Sequence, residues 1–177
     1  VKGIEVISYN REGFAFSNNQ VPGAYNLDGT LKDNAVVLYL TEQTKDKMKL
    51  DVVTSSKGSS ETFVGLQNIL NGFKKGYDKR PVCIRVIGKV TDLAVLESGD
   101  IVIDGGSKHN AGLTIEGVGT DATAFGFGIR IKNARNIEIR NIATMAVDSN
   151  EGDNIGLQQN NEYIWIHDND FFYGDAG

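Results

Sequence analysis

Between residues 128 and 172 one phrase is written twice. Ile129-Arg-Ile-Lys-Asn followed by Asn136-Ile-Glu-Ile-Arg-Asn-Ile142 returns as Ile155-Gly-Leu-Gln-Gln followed by Tyr163-Ile-Trp-Ile-His-Asp-Asn169. Ile129 recurs as Ile155, 26 positions on, and Ile137 and Ile139 recur as Ile164 and Ile166, 27 positions on. A repeat of that length is the mark of a solenoid, in which each coil buries its apolar face only against the coils above and below.

The rest of the second half obeys the same grammar. Val82-Cys-Ile-Arg-Val-Ile87, Asp100-Ile-Val-Ile103 and Gly112-Leu-Thr-Ile115 alternate apolar with polar residues and end at Gly, Asn or Asp, as short strands do. No helix-length apolar pattern separates them, which excludes a doubly wound sheet and leaves a sandwich or a coil of parallel strands. The near-constant period decides for coils, since a sandwich of hairpins has no reason to repeat a strand-turn-strand phrase at near-constant distance. Asn141 and Asn169, 28 positions apart, close corresponding strands where asparagine tolerates left-handed backbone and can bond the next coil's asparagine.

The first half is less regular. Residues 10–25 are punctuated by Gly, Pro and Asn and read as loop, whereas Ala35-Val-Val-Leu-Tyr-Leu40 and Leu50-Asp-Val-Val53 read as strands around a solvated charged turn. Ser59-Ser-Glu-Thr is expected to open a helix carrying Phe63, Leu66, Ile69, Leu70 and Phe73 on one face, with Gly76 as its stop. Such a stripe is packed core before it is a partner-binding face. The organisation expected is a single, incomplete all-β domain over 1–177: an arm (1–58), a capping helix (59–76) and β-helix coils (81–177).

Composition closes off several functions. A net charge of −5 leaves no basic face to replace phosphate counterions, so no nucleic-acid partner is expected. No run approaches the roughly eighteen apolar residues of a membrane helix. The single cysteine, Cys83, rules out a disulfide within the chain and sits in an apolar strand as a buried, inert thiol.

The motifs carrying chemistry are sparse. Glu151 and Asp153 flank a glycine between two strands, and residues two apart in extended chain point to the same side. Two such carboxylates form either a solvated acidic turn or, with a cation between them, part of a calcium site. Asp148 nearby reads as a surface aspartate or an outer contact. Gly117-Val-Gly-Thr-Asp-Ala122 follows a strand but no helix follows it, so it is a turn and not a dinucleotide fingerprint. Asp168, Asp170 and Asp175 are too irregular for an EF-hand loop, and His109 and His167 have no partner at metal spacing. Trp165 has outward parity; it can stack on a sugar or pack under a loop crossing the coil, and packing is expected.

The succession Leu113-Thr-Ile-Glu-Gly-Val-Gly-Thr-Asp-Ala122, Gly128 to Ile142, Glu151-Gly-Asp-Asn-Ile155 and Ile164-Trp-Ile-His-Asp-Asn169 resembles the pectate lyase family. Glu12-Gly-Phe-Ala15, the segment from Ser60, and Pro81-Val-Cys-Ile-Arg-Val-Ile-Gly88 carry the likeness more thinly. The resemblance implies a right-handed parallel β-helix and calcium-dependent β-elimination on polygalacturonate, an acidic polysaccharide. It further implies a secreted or periplasmic location, with a signal peptide removed ahead of Val1. It matches Asp153 to a calcium-binding aspartate and Glu151 to a second acid that often joins it. Further acidic ligands and the proton-abstracting arginine are expected beyond Gly177, so no catalytic residue is assigned within the chain and no substrate-binding residue is named. A C-terminal segment or second chain completing the solenoid is expected as a partner. His167-Asp168 departs from the family, where Asp precedes His. A non-catalytic carbohydrate-binding β-helix and a pectin lyase acting without calcium on methylated substrate are the competing readings.

Overall fold

The structure is a computed structural model, and it describes residues 10–106 and 111–174. Among these residues twelve strands and one α-helix follow one another: β1 Val36–Leu40, β2 Lys49–Val53, β3 Ser60–Val64, α1 Leu66–Lys74, β4 Val82–Thr91, β5 Asp100–Asp104, β6 Leu113–Phe125, β7 Gly128–Lys132, β8 Arg135–Arg140, β9 Ala143–Val147, β10 Ile155–Gln158, β11 Glu162–His167 and β12 Asp170–Gly174. They wind into a right-handed parallel β-helix of about three turns, the hand that parallel crossovers take. Strands β5, β7 and β10 form one wall. The second wall is β1-β4-β6-β8-β11, and its corner continues into a third, where β9 lies between β6 and β12.

Register turns the sequence repeat into columns. Ile137 pairs with Ile164 and Ile139 with Ile166, and Ile129 pairs with Ile155. Extended downward, Leu38, Ile84, Ile115, Ile139 and Ile166 form one inward stack, and Ile103, Ile131 and Leu157 another. Each buried branched side chain contributes about 1.5–3 kcal/mol of transfer free energy, and the stacks merge into one continuous core.

The turns between walls repeat as well. Asn133 and Gln159, Asn136 and Tyr163, and Asn141 and Asp168 adopt left-handed backbone in pairs one coil apart. The counterpart of Asn141 is therefore Asp168, not Asn169. Asn169 instead stacks one position along and bonds backbone, its Nδ2 donating to Ile139 O at 2.9 Å while Ile142 N–H donates to its Oδ1 at 3.1 Å. Asn161 does the same at the preceding corner, accepting from Ala134 N and donating to Ile131 O. These side chains close the coil by satisfying backbone groups of the turn below.

Two expectations about the first half need correction. The helix does not begin at Ser59: residues 60–64 form β3, paired antiparallel with β2, and α1 starts only after Gly65, whose φ is +83°. Thr62 and Val64 are β-branched and suit a strand, and Phe63, which matches the helical spacing, reaches α1 across space, its ring lying where a side chain on Gly72 would stand. Part of the segment expected as an arm (1–58) also belongs to the coils, because β1 pairs in parallel with β4 and begins the second wall. The remaining α1 buries Leu66, Ile69, Leu70 and Phe73 and meets the edge of β5, where Gln67 accepts from Val102 N and donates to Val102 O. It thereby caps the N-terminal end of the core.

Candidate functional site

Residues 148–154 connect β9 to β10 and stand above the outward side of the first wall. The loop is fastened at several points: Asn150 N–H donates to Ser98 O at 3.0 Å, Ile129 N–H to Asn154 O at 3.1 Å, and the Thr144 hydroxyl to Asn154 Oδ1 at 2.8 Å. Two glycines allow the fit. A side chain on Gly99 would strike Ser149 Cα at 2.7 Å, and one on Gly128 would run into the Asp153 carbonyl and into Asp100 Oδ1 at 2.9 Å.

Glu151 and Asp153 are both exposed on this loop. Glu151 Oε1 lies 3.2 Å from Arg130 Nη1. Asp153 faces the adjoining strand, its Oδ2 3.7 Å from where a side chain on Gly156 would begin. Sequence reasoning missed two residues here. Arg130 points outward from β7, in register between Val102 and Gly156, and its Nη2 donates to Glu97 O at 2.9 Å. Asp100 is buried at the start of β5, accepts from Gly128 N–H at 3.2 Å and lies 3.8 Å from Arg130 Nε. Burial pushes the Asp100 carboxyl above its ordinary range, against the opposing pull of Ser149, Arg130 and the Gly128 amide, and the Glu151 charge adds to the rise. Alternation marked Arg130 as outward, but nothing in the linear order places Asp100 beside it.

Among the described residues no three His, Cys, Asp or Glu side chains converge as a metal cluster. Glu151 and Asp153 supply hard carboxylate oxygens of the kind calcium accepts, so they fit as one side of a site and fall short of a full ligand set. Asp148 is exposed on the same loop.

The other candidates lie elsewhere. Trp165 packs under the arm, with the Phe16 ring edge-on at 5.0 Å and the Arg11 guanidinium 5.2 Å above it. His167 stacks on Trp165 at 3.6 Å and places Nε2 3.2 Å from Glu138 and Nδ1 2.7 Å from Asp168, so it is a partly buried partner of Glu138. Cys83 is fully buried with its thiol pushed up to about 12, chiefly by burial. Residues 117–122 run on within β6. Asp168 and Asp170 are exposed and converge on no metal cluster. His109 and Asp175 lie outside the described residues.

No family model matches the sequence. Two curated relatives do: pectate lyase A and probable pectate lyase A of Aspergillus niger, each 34% identical over a 98-residue alignment that covers 44% of this chain and 30% of the relative. Among solved structures, the pectate lyase Bsp165PelA from Bacillus sp. N165, crystallised in complex with trigalacturonate, superposes with a TM-score of 0.63 at 24% identity, covering 90% of this chain and 42% of that one. The chain thus spans under a third of the curated relatives' length. Across the compared segments it resembles the pectate lyases, in sequence over part of its length and in its parallel β-helix fold over nearly all of it.

Proposed function

We propose that this chain is the N-terminal part of a calcium-dependent pectate lyase, cleaving polygalacturonate by β-elimination. The observation that carries the reading is the loop 148–154, which presents Glu151 and Asp153 to solvent over the outward face of β7 and β10 in a fold resembling that of pectate lyases. Asp153 and Glu151 would hold the calcium ion from one side. When bound, calcium supplies positive charge that makes the proton beside a uronate carboxyl group removable.

The chain's own residues do the rest of the local work. Asp100, Ser98 and Asn154 hold the loop in place, and Arg130 balances the acidic charge beside it. The base that takes the proton is assigned to later coils, which would also cover the open edges of β10, β11 and β12; among the described residues each of these strands pairs on one side only. The single β-helix domain (1–177, with the arm and cap before the coils), a secreted or periplasmic location and an acidic polysaccharide as partner belong to the same proposal. Among the described residues no helix is long and apolar enough to cross a membrane.

The test is absorbance of the unsaturated product from polygalacturonate, with and without calcium, using the polypeptide that carries the further coils. Calcium-dependent product, at least 100-fold reduced by Asp153→Asn (roughly 2.7 kcal/mol of transition-state stabilisation), is expected. Calcium-independent product on methylated substrate would assign a pectin lyase instead. Binding of polygalacturonate with no product would leave a non-catalytic carbohydrate-binding β-helix.

A further inference from the structure

We propose that Arg130 is the residue of this site that reads the carboxylate of the sugar, and that Glu151 occupies it as an internal substitute until a divalent cation draws Glu151 away. The inference rests on the proposed action on polyuronate and extends it to a residue with no role there beyond balancing charge.

Arg130 has two sides. On the inner side Nη2 is fixed to the Glu97 carbonyl and Nε lies 3.8 Å from the buried Asp100 carboxylate, beyond hydrogen-bond reach, so Nε has no hydrogen-bond partner among the described residues. On the outer side Nη1 meets Glu151, whose side chain is 43% exposed while that of Arg130 is 13% exposed. The inner contacts hold the guanidinium in one orientation. The outer pair is exposed at its acidic end, where water competes for the carboxylate, and is therefore exchangeable.

Directly above Arg130 the next coil carries Gly156. A side chain there would find only Asp153 Oδ2 at 3.7 Å and Arg130 Cγ at 3.9 Å, so the absence of one leaves a shelf walled by an acid and the arginine stem. A planar, always-charged guanidinium beside a shelf suits a carboxylate, which it can bind through two parallel hydrogen bonds. The adjacent Asp153 suits the cation. One uronate carboxylate can reach both, and the Glu151 carboxylate leaves Nη1 to join Asp153 as it does so. Metal and anionic sugar then bind cooperatively, because each removes an obstacle to the other.

The experiment is calorimetric titration of the polypeptide that carries the further coils with calcium alone, and with trigalacturonate in the presence and absence of calcium. The wild type is expected to bind the sugar at least tenfold more tightly with calcium than without. Arg130→Gln is expected to tighten calcium binding several-fold in the absence of sugar, since the competing counter-charge is gone, and to weaken trigalacturonate binding at least tenfold; Arg130→Lys recovers part of the sugar affinity. Glu151→Gln is expected to do the opposite, strengthening calcium-free sugar binding several-fold while weakening calcium. A purely structural role for Arg130 would not move the two ligands in opposite directions. Methyl-esterified trigalacturonate, which has lost the charge, is expected to bind wild type and Arg130→Gln alike. If the wild type binds trigalacturonate with calcium and Arg130→Gln binds it equally well, the proposal falls and the lyase reading stands. If the wild type binds no trigalacturonate at all, both fall.

Discussion

Glu138 is the residue on which the exterior of the second wall turns. It projects outward from β8, yet it is fully buried, because residues 10–34 cross over it. Arg11 from that arm meets it with two hydrogen bonds of 3.0 Å, Thr114 donates at 3.0 Å, and Arg140 and His167 stand at 3.4 and 3.2 Å. One strand away Glu116 collects Arg85, Arg140 and the Tyr25 hydroxyl in the same manner. Burial alone pushes the Glu138 carboxyl up, but the hydrogen bonds from His167 and Arg11 and the charges of Arg140 and Arg11 outweigh it and bring the group down to about 2. A carboxyl depressed on folding adds stability that is fully present above its unfolded value, roughly 4.3, and is lost as pH falls toward its folded value. Urea midpoints are therefore expected to drop between pH 5 and pH 2.5, and to drop less in Glu138→Gln. Glu138→Ala, which leaves the buried Arg11 without its carboxylate partner, is expected to lose about 3–5 kcal/mol of unfolding free energy at pH 7; a loss under 1 kcal/mol would contradict this account of how the arm is held. Parity along β8 shows that Glu138 and Arg140 face outward. It cannot show that they are covered, because Arg11 lies 127 positions away.

At the scale of elements, the junction of β3 and α1 shows where periodicity misleads. Phe63, Leu66, Ile69, Leu70 and Phe73 share helical spacing, but the first sits on a strand and packs against the helix from outside. Gly65 at φ +83° decides the boundary, since few other residues adopt that backbone without strain. Gly72 makes the packing possible: a side chain there would lie 2.9 Å from Phe63 Cε2. Gly72→Ala is thus expected to destabilise the chain by about 1–3 kcal/mol through overpacking, despite the roughly 1 kcal/mol by which alanine favours an exposed helix interior. A raised melting temperature in that variant would show that Phe63 yields easily. The parallel strands were far more legible than the antiparallel pair β2–β3, because each coil repeats its neighbour's apolar pattern, whereas β2 and β3 have no counterpart with which to compare them.

For the whole molecule, the consequence of stacking is an end face. Leu157 is 56% exposed and Phe171 46% exposed on the coil of β10 to β12, and among the described residues these strands present unpaired backbone along one side. Such edges pair with other chains unless covered. The chain at 19.2 kDa is expected to sediment as a concentration-dependent mixture of monomer and larger species, and Leu157→Lys with Phe171→Lys to shift it toward monomer; a monodisperse monomer at all concentrations would count against an adhesive edge. The architecture itself was written in the order of residues. A solenoid's contacts join positions one coil apart, so the register of Ile129 with Ile155 and of Ile137 with Ile164 appears as a spacing of 26 or 27, and the outward side of each strand follows from alternation. That Glu151 and Asp153 share one loop was legible too, because they lie only two positions apart. What tertiary structure alone decided is everything that joins the arm, the cap and the coils: Arg11 on Glu138, Phe16 on Trp165, Gln67 on Val102, and Arg130 between Asp100 and Glu151. Those contacts depend on how separately formed elements come to rest in space, and no periodicity in the chain encodes that distance.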